Sequence, residues 1–157
     1  MENKGVRILK TGACLALLPL SILSAEPKCT GLERDDGSFV LKIENQEVEI
    51  PVISLGAKVK RCNKWESFPD LWVAEIDLGE AGTNSLRKET DLFVFASKGG
   101  KLRKIYQKNI ETSVMSSDPR TGDLRTEKSK HSYDLLVSAK GDPQVRLNGG
   151  EPIDLVR

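Results

Sequence analysis

The sequence predicts an all-β fold, a single antiparallel β-sandwich or small barrel of about seven to nine short strands. Three observations carry this. Apolar and polar residues alternate with period two along much of the chain, turn signals separate the alternating runs, and no long segment shows the apolar stripe of a helix.

Residues 1–25 read as a secretory signal peptide preceding that domain. Lys4, Arg7 and Lys10 form a positive start, and Ala13–Leu23 follow without a charge before Ser24-Ala25. The apolar run is shorter than the roughly 20 residues needed to span a bilayer, and Pro19 interrupts it. The expected mature chain, residues 26–157, is one domain without a transmembrane span, in a periplasmic or secreted location.

Cysteine usage agrees with export. Loss of Cys14 with the signal leaves Cys29 and Cys62, an even pair expected to form a disulfide in an oxidising compartment. A metal site at the two cysteines is the competing reading, but His131 is the sole histidine of the chain and the ligand set is poor. No metal or cofactor is expected.

The strands follow in order. Phe39, Leu41 and Ile43 alternate with polar neighbours except Val40. Asn45-Gln46 interrupts, and Val48, Ile50 and Val52 resume the alternation, which predicts a hairpin. Trp72, Ala74, Ile76 and Leu78 mark another strand. Leu92–Ala96 (LFVFA) is apolar throughout and predicts a strand buried on both faces. Lys98-Gly99-Gly100-Lys101 is a tight-turn signal, because glycine reaches positive φ without a clash. Ile110, Thr112 and Val114 predict the next strand and Ser116–Asp123 a loop. Tyr133, Leu135 and Val137, then Val145 and Leu147, then Ile153 and Leu155 predict three more, with turns at Gly141-Asp142-Pro143 and Asn148-Gly149. Thr83–Glu89 is read as one or two helical turns capped by Thr83.

Charge excludes one class of partner. The whole chain carries a formal net charge of +1 and residues 26–157 about −1, so there is no general case for nucleic-acid binding. The charge is uneven. Residues 26–91 hold nine Lys/Arg against fourteen Asp/Glu, and residues 92–157 hold twelve against eight. In an interleaved β fold this gives attraction between the halves, or a bipolar surface that steers a charged partner.

Two segments are candidate binding sites. Trp65, Phe68 and Trp72 fall within eight residues beside Cys62. Aromatic rings with a polar edge suit glycan stacking or a protein hot spot, and the alternative is that they are core. Lys98, Lys101, Arg103 and Lys104, continued by Lys108, form a basic run without an acid between Asp91 and Glu111. It suits an anionic partner, or an edge strand guarded by lysines. On an unbroken strand Lys101 and Arg103 would share one face, with Lys104 and Lys108 on the other. Asp118, Asp123 and Glu127 lack the alternate ligands of a calcium loop, and Asp35-Asp36-Gly37 reads as a turn. His131 shares strand parity with Tyr133. A catalytic histidine would need a nucleophile and an orienting carboxylate nearby, and no nucleophile-elbow motif is present.

Tyr133–Leu147 (YDLLVSAKGDPQVRL) resembles a strand–turn–strand of bacterial periplasmic lysozyme inhibitors. The likeness covers fifteen residues of a hairpin pattern and carries over no functional residue. The expected function is an exported, non-enzymatic binding module acting by protein–protein contact, of the inhibitor or immunity type, in the bacterial periplasm. The alternatives are a glycan- or small-ligand-binding β domain using the aromatic segment, and a structural envelope component.

Overall fold

The structure, a computed structural model, describes residues 29–155. The expected signal peptide lies outside the described residues.

Eleven strands, all paired antiparallel, form three sheets among the described residues. The N-terminal sheet holds β1 (Cys29–Glu33), β2 (Phe39–Ile43) and β3 (Gln46–Ile50) in that order. The central sheet holds β4 (Lys58–Trp65), β5 (Phe68–Ala81), β6 (Ser85–Lys98), β7 (Lys101–Ser117) and β8 (Leu124–Lys130), also in chain order. The C-terminal sheet holds β9 (Tyr133–Val137), β10 (Pro143–Leu147) and β11 (Ile153–Asp154), in the order β11-β10-β9. The all-β class is as expected. The expected seven to nine short strands in one sandwich or barrel are instead eleven in three sheets, with β5, β6 and β7 running 14, 14 and 17 residues.

The central sheet is covered on both faces, and the packing of β6 shows why its Leu92–Ala96 stretch is apolar throughout. Phe93 and Phe95 point one way, into a core with Phe39, Leu41 and Ile43 of the N-terminal sheet and Trp72, Ala74 and Ile76 of β5. Leu92, Val94 and Ala96 point the other way, into a core with Val145 of the C-terminal sheet and Leu71 and Val73 of β5. Alternating side chains of one strand thus serve two cores, which leaves no polar position between them.

The disulfide Cys29–Cys62 joins β1 to β4, so the N-terminal sheet is tied covalently to the edge of the central one. Both cysteines pack against the first core. In β5, a register shift between Asp77 and Glu80 sets Gly79 at φ 92°. A Cβ there would lie 2.7 Å from the Ser54 carbonyl oxygen. The segment after β3 docks at this point: the Ile53 amide donates to Leu78 O at 2.8 Å, and the Glu80 amide donates to Ser54 Oγ at 2.9 Å.

The expected helical turns at Thr83–Glu89 do not form. Ser85–Glu89 belong to β6 and pair with Thr112–Ser116 of β7. The long β6–β7 ladder supplies every residue of β6 with a cross-strand partner, and this outweighs the local capping signal. The expected hairpins at Phe39–Val52 and Lys98–Lys101 form, the second with Gly99 at φ 60° and Gly100 at φ 73°.

Candidate functional site

The two segments singled out by sequence lie at one end of the central sheet, where Trp72 of β5 and Lys104 of β7 both pair with Phe95 of β6, and neither lines the cleft described below. Trp65, Phe68 and Trp72 are all buried. Trp65 and Phe68 meet edge to face at a centroid separation of 5.2 Å within the second core, while Trp72 sits in the first. The register shift at the β4–β5 hairpin explains the division: Lys64 pairs with Trp72 but Trp65 pairs with Phe68. Trp65 and Phe68 therefore lie across the sheet from the disulfide. The Lys64 ammonium, 5.0 Å from the Trp72 ring centroid, covers that ring from outside.

The basic run flanks the β6–β7 turn. Lys98, Lys101, Arg103 and Lys104 are exposed. β8 pairs with β7 only from Glu111 to Ser117, which leaves the Lys101–Asn109 half of β7 without a strand neighbour on that side. This is the lysine-guarded edge arrangement. Lys104 folds back, donating to Gln107 Oε1 at 2.6 Å, and lies 5.9 Å from the Phe93 ring centroid. A register shift between Val94 and Phe95 pairs Phe95 with Lys104 but Val94 with Tyr106. The register thereby turns Lys108 to the face of Lys101 and Arg103, not to that of Lys104. Asp118 caps its own turn, accepting from the Arg120 amide at 2.8 Å and pairing with Arg125 at 3.3 Å.

A cleft of about 920 Å³ opens elsewhere, between β4 at one edge of the central sheet and β9 at one edge of the C-terminal sheet. Its floor is the part of the central sheet that the short C-terminal sheet does not reach. Five cations and three carboxylates line it, and the carboxylates are matched. Lys60 Nζ is 2.9 Å from Glu111 Oε2, although β5 and β6 separate their strands. Three strand spacings amount to about 14 Å in a flat sheet, so the ion pair reflects the curl of the central sheet toward the cleft. Arg61 pairs with Glu75 at 3.4 Å, and Arg146 with Asp134 at 2.8 Å. Lys130 is exposed at the rim.

Tyr133 joins the two walls. Its hydroxyl donates to Glu75 Oε1 at 2.6 Å, linking β9 to β5. Burial, then the bond to Glu75, pushes its hydroxyl pKa up to about 12. The Lys60 ammonium, helped by Lys130 and Lys128, holds the Glu111 carboxyl below its usual range. His131 is half-buried in the cleft wall, where its Nδ1 lies 2.7 Å from the Asn148 side-chain amide and its backbone amide donates to Ile110 O at 2.8 Å. Its contacts fix the start of β9.

No family model, curated protein or solved structure matches this chain.

The cleft is not legible in the sequence because its residues come from six separate strands and the β8–β9 link. Its charged residues stand at unremarkable polar positions. Of the lining residues, His131, Tyr133 and Leu135 left a trace, through their shared strand parity.

Proposed function

We propose that this chain is an exported, non-enzymatic binding module that acts by protein–protein contact, of the inhibitor or immunity type, in the bacterial periplasm, and that the cleft between β4 and β9 receives the partner. The observation that carries the reading is the cleft itself. It is open, its charged groups other than Lys130 are held in ion pairs and hydrogen bonds, and it lies between two strands that each have a neighbour on one side only. Preorganised charges of this kind favour orientation and specificity over bulk hydrophobic attraction. The Cys29–Cys62 bridge is in keeping with an oxidising compartment.

The test is affinity capture from an envelope extract with three forms of the chain. Wild type is expected to retain a stoichiometric partner, Lys130→Glu at the cleft rim to lose it, and Lys101→Glu/Arg103→Glu at the β6–β7 turn to keep it. Loss in the turn variant with retention in the cleft variant would move the site to the basic run. Substrate turnover abolished by His131→Ala would overturn the non-enzymatic reading.

A further inference from the structure

The edge of β9 has a fixed polarity that can be read from its neighbours. In an antiparallel pair, residues whose N–H and C=O face the partner strand alternate with residues whose groups face away. The Asn148 amide donates to Ser132 O at 3.0 Å, and the Ser138 amide donates to Asp142 O at 2.8 Å. Positions 132 and 138 therefore face β10, as do Asp134 and Leu136 between them. The pairing of Val137 with Pro143 fits this phase, since proline has no N–H to exchange and the Pro143 carbonyl accepts from Leu155 instead. The backbone groups of Tyr133, Leu135 and Val137 then face away from β10, toward the open side of the sheet. An added strand there would extend the C-terminal sheet across the cleft.

The side chains that such a strand would meet are cationic by one. Lys60, Arg61, Lys130 and Arg146 stand against Glu75, Glu111 and Asp134, while the Lys64 ammonium is turned to the other face, where it pairs with Glu44 at 3.1 Å. Lys130 forms no ion pair among the described residues, and Lys128 beside it on β8 is exposed and also acts on Glu111. We infer that β9 takes up an extended acidic segment of the partner protein as an additional antiparallel or parallel strand, with carboxylates at alternate positions turned toward Lys60 and Lys130. Main-chain bonds to Tyr133, Leu135 and Val137 would hold the segment and the alternate carboxylates would select it, as in other strand-addition complexes. This rests on the cleft being the docking site and specifies how it is used.

The experiment uses the disulfide-bonded chain and a fluorescein-labelled peptide of alternating Glu and Thr, seven residues long. Its affinity is measured by anisotropy, and amide exchange of β9 by NMR. Three results are expected. The peptide slows exchange at Tyr133, Leu135 and Val137. Its Lys-for-Glu counterpart binds about tenfold more weakly or worse. N-methylation of alternate peptide amides abolishes binding in one of the two possible phases. Val137→Pro removes one outward N–H at a half-exposed edge position, and is expected to weaken binding about tenfold with an unchanged melting temperature. If that variant does not fold, the N-methylated peptides decide. Binding at the cleft that survives both methylation patterns overturns strand addition and leaves the cleft reading intact. Absence of any shift at cleft residues with the acidic peptide overturns this inference. The cleft reading then stands or falls on the Lys130→Glu capture result.

Discussion

The Tyr133 hydroxyl and the Glu75 carboxylate meet at 2.6 Å, and through this bond the edge strand of the C-terminal sheet is fixed to the floor of the central one. Glu75 also carries Arg61 at 3.4 Å, so the same carboxylate ties β4, β5 and β9 together around the cleft. The geometry of the proposed binding site therefore depends on a hydrogen-bonded group and not only on packing.

Tyr133→Phe is expected to lower stability by about 1–3 kcal/mol, because it leaves a half-buried carboxylate oxygen short of a donor. Chemical denaturation at neutral pH checks this. The loss should be accompanied by faster amide exchange at Tyr133–Val137 and little change in β2.

The pH dependence of that difference has a definite sign. The Tyr133 hydroxyl is an acid whose folded pKa, about 12, lies above the unfolded value near 10. The folded state holds this proton more tightly, so the stabilisation is fully present below about pH 10 and fades as pH rises toward 12. Unfolding curves of wild type and Tyr133→Phe should therefore converge across that window. A constant gap from pH 8 to 11.5 would mean that the folded state does not raise the Tyr133 hydroxyl pKa.

Burial on both faces of β6 predicts equal sensitivity of its two faces. Phe93→Ala empties part of the core beneath the N-terminal sheet and Leu92→Ala part of the core beneath the C-terminal sheet. Losses of about 3–5 and 2–5 kcal/mol respectively are expected in urea titrations. A cost under 1 kcal/mol for Leu92→Ala would show that the C-terminal sheet does not cover that face in solution.

Gly79→Ala should destabilise by about 1–3 kcal/mol through backbone strain alone, with more from collision. The residue sits at φ 92°, and its new methyl would meet the Ser54 carbonyl oxygen at 2.7 Å. Thermal melting measures the effect. Gly122→Ala, also at positive φ but with open space around it, is the milder comparison.

The β class was legible because alternation is a property of single strands. Phe39, Leu41 and Ile43 announce their own buried face, and LFVFA announces a strand with two. Fewer than eleven strands were legible because β1 and β8 carry no such pattern. The side chains of Leu124–Lys130 are exposed throughout, so β8 is a strand only because β7 extends far enough to pair with it. The aromatic cluster left two readings open, core or binding surface, for a related reason. Trp65 and Phe68 look like a surface cluster until the register shift opposite Pro69 and Asp70 turns them under the sheet. The disulfide partners were fixed by number alone, whereas the cleft depends on the curl of the central sheet and the position of a third sheet. Neither is local to any run of residues.

Site-specific photo-crosslinking tests the central claim most directly. A benzophenone side chain is placed at Ser132, exposed at the cleft wall, or at Glu49, exposed on β3 away from it. Each form is produced in the native cell and irradiated. The cleft account predicts a discrete protein adduct from position 132 that Lys130→Glu removes, and no such adduct from position 49. Adducts from position 49 and none from position 132 would contradict it.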